Sequence, residues 1–309
     1  MNVRFSSINA IKADFSDIYA SDDPRDYFKV LGKLNYVIPQ LAAPVLLQLA
    51  ERLIEIKGRP ITILDVGCSY GLLSATARLG LSISQLCARY EAEPIQALDP
   101  QRLASFDAKY FASWPKRPDI RFIGLDCSPQ AISYALTVGL IEKGLVIDLE
   151  TNAPDGNARS LISQADLIIS TGAVGYISEK TFSKLLQAFP AGKSAWVASF
   201  VLRMFDYAKI AKTLHEHGLE TERLNDVTFV QRRFQDRSEL CSAIDLIKSR
   251  GLDPSGKEDE GFYHAELFLS RPTNEVRKAS LSRIVSVDCD NAAEQLLEIA
   301  SNEFHRDLH

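Results

Sequence analysis

Residues 63–71 read ILDVGCSYG, and the reading of this stretch decides the fold. Ile63, Leu64 and Val66 make a short apolar strand, and Gly67 and Gly71 supply a sharp turn that opens a helix. The free N–H groups of such a helix start suit a nucleotide. A turn for nicotinamide dinucleotides is spaced G-x-G-x-x-G. Here the spacing is G-x-x-x-G, and Ser69 stands where a middle glycine is expected. A tight structural turn with no ligand is the competing reading of this stretch alone.

Outward from it, short apolar runs recur between polar turns: ITILDVG, RFIGLDC, GLVIDL, ADLIISTG and SAWVASFVL. All but the third have apolar residues on both faces, as buried parallel strands do; GLVIDL is too short to tell from a helix end. Helical patterns lie between them, in GLLSATARLGLSISQLCARY, SPQAISYALTVGLIEKG, SEKTFSKLLQAF and FDYAKIAKTLHEHG. Strand and helix in alternation predict an α/β doubly wound parallel sheet. After residue 226 the pattern changes. DVTFVQRRF and GFYHAELFLSRP alternate as an antiparallel edge, with SELCSAIDLIKSRG as a helix between them. Ahead of the sheet, SDDPRDYF starts a helix near Pro24, and IPQLAAPVLLQLAERLIEIKG is amphipathic with Gly58 as its stop signal. The expected partition is a helical lid at 1–60, a nucleotide-binding domain at 61–272 with an insertion near 91–119, and a helical tail at 273–309. The tail ends in the amphipathic NAAEQLLEIASNEF, which leaves a homodimer open.

The chain has 309 residues, long for one domain yet within reach of one α/β domain with insertions. Its hydrophobic fraction of 46% and charged fraction of 24% are ordinary for a globular protein with a sizeable core. A net charge of −5 argues against a nucleic-acid grip. The five cysteines are scattered and contain no C-x-x-C pair, which fits a reducing compartment and gives no zinc signature. Neither a signal-peptide core nor an apolar run of roughly 18 residues is present. The expectation is a cytoplasmic protein acting on a small molecule, with no metal, nucleic acid or membrane partner.

Two acids strengthen the nucleotide reading. Asp126 ends the strand RFIGLD, where a carboxylate can accept both ribose hydroxyls; an N-cap before Ser128-Pro129 is the competing role. Asp148 in VIDLE is placed to meet an adenine amino group, with an exposed loop acid as the alternative. Together ILDVGCSYG, FIGLDCSPQAISYA, VIDLE and ADLIISTGAVGYI resemble motifs one to four of class I S-adenosylmethionine (SAM)-dependent methyltransferases, over roughly residues 60–270. The resemblance implies a Rossmann-like sheet. It implies that Asp65, Gly67, Ser69 and Gly71 line the methionine half of SAM. Asp126 would bind the ribose, and Asp148 and Leu149 would flank the adenine. Ser170, Thr171 and Gly172 would close the pocket under the sulfonium, with Tyr176 close by. Tyr27, Tyr36 and Gln40 would belong to the lid, shielding the sulfonium and bonding the amino-acid end; core anchoring is the competing role of the tyrosines.

Two features depart from the family pattern. Ser69 adds a hydroxyl, and Asp126 lies 61 residues beyond Asp65, where about 20 is usual. The surplus predicts extra helix, either covering the site or lying on the surface without a role. His215 and His217 do not share a helix face, and His264 reads as a satisfied edge-strand residue. Arg203, Arg232 and Arg233 are candidates for gripping a carboxylate, with structural ion pairs as the alternative.

Within that superfamily the chain resembles the bacterial azetidine-2-carboxylate synthases, in the GCSYG turn, the STGAVGY segment with Tyr176, and Ser199 in WVASF. That resemblance implies SAM as its own substrate in secondary metabolism. Its α-amine would attack the CH2 next to sulfur, expel methylthioadenosine and close a four-membered ring. Tyr176 would face the sulfonium, a cation–π contact of about 0.5–2 kcal/mol. Ser69 and Ser199 would orient the amine; no general base stands out. Methyl transfer to a small molecule or peptide is the alternative, and a non-catalytic SAM-binding module a second one. No D/N-P-P-Y or Pro-Cys motif for a nucleobase is present.

Overall fold

The computed structural model describes residues 16–287. Eight strands form one sheet: β1 (Ile61–Val66), β2 (Ile120–Asp126), β3 (Lys143–Val146), β4 (Leu167–Thr171), β5 (Trp196–Leu202), β6 (Leu219–Arg223), β7 (Phe229–Arg233) and β8 (Phe262–Pro272). Their order is β3-β2-β1-β4-β5-β8-β6, with β7 also paired to β8. Strands β1 to β5 are parallel. β8 runs antiparallel to β5, and β6 and β7 pair with successive halves of its other side. This is the doubly wound α/β sheet with an antiparallel edge that the sequence predicts, a Rossmann-like fold. The strand order reverses between β1 and β4, where α/β sheets open a ligand crevice.

The helices before β1 are α1 (Ser16–Tyr19), α2 (Arg25–Leu31) and α3 (Ile38–Lys57). Helix α3 stops where Gly58 takes φ 64° and its N–H bonds the Ile54 carbonyl at 2.8 Å, a left-handed cap that glycine adopts without strain. Between β1 and β2 lie α4 (Leu72–Leu79), α5 (Ile83–Glu91), α6 (Glu93–Gln96) and α7 (Pro100–Ala112). The remaining connections carry α8 (Pro129–Thr137), α9 (Gly156–Ile162), α10 (Glu179–Leu186), α11 (Ala208–Glu216) and α12 (Arg237–Ser249).

Several local expectations are corrected. GLLSATARLGLSISQLCARY is two helices, because Gly80 turns left-handed at φ 69° and Ser82 opens α5 with a capping box to Gln85. GLVIDL contains strand β3 (Lys143–Val146), and LETER, unmarked by any apolar run, forms β6. His264 is on β8, which has partners on both sides, and is buried with Nδ1 3.0 Å from Thr228 Oγ1. The C-terminal amphipathic segment lies outside the described residues.

Two apolar cores result. The main one fills both faces of the sheet and includes one side of α3. The second joins Tyr27, Phe28 and Leu31 of α2 to Leu86 and Tyr90 of α5, Leu103 and Phe111 of α7, and Tyr134 of α8. Helix α3 therefore packs with the sheet, while α1 and α2 pack with the insertion. At the centre of the second core, fully buried Asp107 accepts hydrogen bonds from Arg89 Nη2 at 2.6 Å, Tyr90 Oη at 3.0 Å and Tyr134 Oη at 2.6 Å. Among the described residues no helix is long and apolar enough to cross a membrane.

Candidate active site

A cavity of about 520 Å³ opens at the carboxyl ends of β1, β2 and β4, within the roughly 300–1,000 Å³ usual for small-molecule sites. Its floor begins where β1 delivers Asp65 and turns at Gly67, whose φ is 78° and whose N–H bonds the Leu125 carbonyl at 2.8 Å. A side chain there would press on Ala173, with a Cβ at 2.7 Å from the Ala173 Cβ. Ser69 adopts φ 48°, an uncommon conformation for a residue with a Cβ. This aims its N–H at Asp126 Oδ2, 2.9 Å away. The other oxygen of Asp126 accepts the Ser128 N–H at 2.9 Å. One carboxylate thus ties the turns after β1 and β2 together, and each oxygen keeps a lone pair for a ligand. Asp148 is built similarly: Oδ1 accepts the Glu150 N–H at 2.8 Å and Oδ2 the Thr151 hydroxyl at 2.6 Å. The Thr151 hydroxyl, opposed by partial burial, holds the Asp148 carboxyl below its ordinary range.

Asp65 is the exception. It is 2% exposed and lines the cavity, yet its Oδ1 has no hydrogen-bond partner among the described residues, and neither has the Ser69 hydroxyl. Burial, and then the charge of Asp126, push the Asp65 carboxyl up to about 8. Buried polar atoms are nearly always satisfied in folded proteins. Here two unsatisfied atoms belong to neighbouring residues that line one cavity.

The roof is aromatic. Tyr19, Tyr27 and Tyr36 line the cavity from above, with Tyr27 meeting the other two edge-on at centroid distances of 5.7 and 6.1 Å. The cover is fastened at both ends. Tyr70 Oη donates to the carbonyls of Ile18 and Ser21 at 2.9 and 2.8 Å, and Ser128 Oγ donates to the Tyr19 carbonyl at 2.5 Å. At its far end, Val37 N–H bonds the Gln231 carbonyl at 2.9 Å and Arg233 N–H the Leu34 carbonyl at 2.7 Å, which joins the cover to β7.

Of the residues expected in the site, Asp65, Gly67, Ser69, Asp126, Asp148, Leu149, Thr171, Gly172, Tyr27, Tyr36 and Tyr176 all line this cavity. Tyr176 does so from the rim, with 59% of its surface exposed. Four others are placed elsewhere. Ser199 is fully buried on β5, where its Oγ takes the Tyr207 hydroxyl at 3.0 Å. Gln40 caps the start of α5, its Oε1 accepting the Ile83 N–H at 2.7 Å. Gly71 turns its α-carbon toward Leu140 and Ala135 and makes room for α8. Ser170 is buried outside the lining, with its hydroxyl unpartnered. Sequence reasoning missed Tyr19 and the ligand-facing position of Ser128; the Asp-Cys-Ser-Pro spacing after β2 carries a signal for the second but nothing marks the first. Arg203 and Arg232 form buried ion pairs with Glu258 and Glu239. The insertion contributes no lining residue among those described.

No protein-family model matches the chain, and no curated protein matches it significantly. Among solved structures it is similar to a TehB-like SAM-dependent methyltransferase from Corynebacterium glutamicum, at 19% identity over 70% of this chain and 84% of that one, with a TM-score of 0.33. Magnesium protoporphyrin IX methyltransferase from Synechocystis with bound SAM shows 14% identity over 80% and 94%, with a TM-score of 0.33. The [4+2]-cyclase SpnF shows 13% identity over 73% and 81%, also at 0.33. At such values nothing of those proteins' activities transfers to this chain, and its fold assignment stands on its own strand order.

Proposed function

We propose that this protein is a SAM-using enzyme whose leading reaction is cyclisation of SAM to azetidine-2-carboxylate with release of methylthioadenosine. The observation that carries SAM binding is the unsatisfied pair Asp65 Oδ1 and Ser69 Oγ, on two residues that line one cavity. The same cavity presents Asp126 beside that pair, and Asp148, each with lone pairs to spare. That donor–acceptor pattern fits an adenosyl amino acid. The pair would take the amine, Asp126 the ribose hydroxyls, and Asp148 the adenine edge. SAM supplies a sulfonium, which makes each of its three attached carbons open to attack. The tyrosines of the cover supply an apolar, π-rich wall that excludes water and favours a cation.

Support for SAM as its own substrate comes from where the walls originate. Among the described residues, all that line the cavity fall between Tyr19 and Thr181. A second substrate would approach over the ends of β4 and β5. There, Gln231 fills the space beside Gly172, and Phe205 packs so closely on Gly175 that a Cβ at that glycine would collide with the ring. Methyl transfer to a small acceptor is the second reading. It is favoured by the exposed rim at Tyr176, through which an acceptor can reach the cavity.

Incubation of the purified protein with SAM alone, followed by mass spectrometry, separates the two. Methylthioadenosine and azetidine-2-carboxylate above the non-enzymatic rate are the expected products. S-adenosylhomocysteine appearing only when an acceptor is added supports methyl transfer instead. An absence of SAM binding by calorimetry would sink both.

A further inference from the structure

An α-ammonium group has no lone pair, so ring closure needs a proton acceptor beside it. Three carboxylates line the cavity. Asp126 has both oxygens held by the N–H groups of Ser69 and Ser128, and Asp148 has both held by Glu150 and Thr151. The Thr151 hydroxyl holds the Asp148 carboxyl below its ordinary range, and Asp126 has no unpartnered oxygen. Among the three, Asp65 alone is deeply buried and carries an unpartnered oxygen, and the unpartnered Ser69 hydroxyl belongs to the same turn, both residues lining the space.

We propose that Asp65 is the base of ring closure, taking the proton from the substrate's α-ammonium group while the Ser69 hydroxyl orients the nitrogen. The proposal rests on the cyclisation reading above and assigns the residue that reaction lacks. In the balanced step, one N–H proton passes to Asp65, and the freed nitrogen pair forms the bond to the carbon next to sulfur. The carbon–sulfur bond breaks with its electrons going to sulfur, which leaves as the neutral thioether methylthioadenosine. The ring nitrogen keeps two protons, the carboxylate is unchanged, and Asp65 carries the single proton released.

The groups around Asp65 suit this role. Asp126 on β2 faces it and raises its proton affinity, in addition to the larger effect of burial, bringing it to about 8. That lies at the ordinary α-amino value of roughly 7.7–8.0, so the proton moves between matched groups. The Tyr36 hydroxyl from the cover and the Cys68 thiol from the turn also face it; burial raises both above their usual values, so each stays neutral and neither competes.

The test begins with binding. The full-length protein is titrated calorimetrically with S-adenosylhomocysteine, which has the same amine and no sulfonium, in buffers of different ionisation enthalpy. At pH 7 free Asp65 holds a proton, whereas bound Asp65 and the amine share one between them. Wild-type protein is therefore expected to release close to one proton on binding, falling away as the pH passes 8. Asp65→Asn is expected to release none. With SAM as substrate, Asp65→Asn should lose roughly 100-fold or more in kcat for methylthioadenosine and lose the wild-type dependence on pH. Binding without proton release in the wild type, or an Asp65→Asn variant with wild-type kcat and pH profile, overturns the base role alone. Wild-type protein that binds the ligand yet forms no methylthioadenosine from SAM overturns the cyclisation reading and the base role with it.

Discussion

A methyl group at Gly172 would intrude on the cavity itself. The glycine's φ of 117° is closed to residues with a Cβ, and the added carbon would meet the Gln231 amide at 2.6 Å. Gly172→Ala should cost about 1–3 kcal/mol of stability from backbone strain, read as a lowered thermal midpoint, and should weaken SAM binding because Tyr36 and Thr171 flank the same point. The residue scale is also where sequence reading succeeds and fails most visibly. Asp126 and Asp148 were legible because an acid closing an apolar strand, or standing just past one, has few places to go except the crevice. Ser199 was not, because β5 is buried on both faces and a motif does not say which face a side chain takes. Asp65 is legible as a position lining the crevice, but its raised proton affinity is not, since that is set by burial and by Asp126, two facts of packing.

At the scale of elements, the insertion acts as a scaffold for the cover. Asp107→Ala would strand Arg89 and two tyrosine hydroxyls inside the second core. Removing one partner of a buried ion pair typically costs about 3–5 kcal/mol, so the thermal midpoint should fall by many degrees and the cover should loosen with it. Tyr70→Phe is a milder cut. It deletes the three-centre bond in which one hydroxyl proton is shared between the Ile18 and Ser21 carbonyls, worth about 0.5–1.5 kcal/mol in all. A rise in KM for SAM of about tenfold is expected, with faster protease cleavage between residues 16 and 24 in the presence of ligand. A wild-type KM and an unchanged cleavage rate would show that the cover is held by other means. Element existence was largely readable, because buried parallel strands advertise themselves as apolar runs. The break at Gly80 and strand β6 were not. One depends on a single left-handed residue, and the other is a polar strand defined by the partner it pairs with.

For the whole molecule, two buried groups set opposing dependences on pH. Asp65 titrates at about 8 in the fold against an ordinary value near 3.9, so the folded protein binds the extra proton between those values. Stability of the ligand-free protein should therefore fall as the pH rises from about 4 to 8. His264 is lowered to about 4 by burial and then by Arg203, below its ordinary 6.5. There the unfolded chain binds the proton, and stability should fall as the pH drops from about 6.5 to 4. Between about pH 4 and 6 the two slopes nearly cancel, so thermal melts should be level there and fall from about pH 6 to 8. Glu258, pushed up to about 7 by burial, adds to that fall, so Asp65→Asn should reduce it and uncover the acid-side loss of His264. An alkaline fall that Asp65→Asn leaves unchanged would assign it to other groups. The doubly wound architecture was readable at this scale from the alternation of strand and helix. What sequence could not supply was that the cover closes on a strand nearly two hundred residues away.

That distant closure has a consequence for how the protein is made. Every described residue that lines the cavity has been synthesised by Thr181, but the strand that fastens Leu34 and Val37 comes only at Phe229–Arg233, and β7 needs β8 to pair with. Contacts so far apart in the chain form late, because the loop between them must close first. A chain leaving the ribosome thus holds a binding surface before it holds the means to shut it. Pulse-labelled hydrogen exchange during refolding should find the Val37 and Arg233 amides gaining protection together, and after those of β1 and β4.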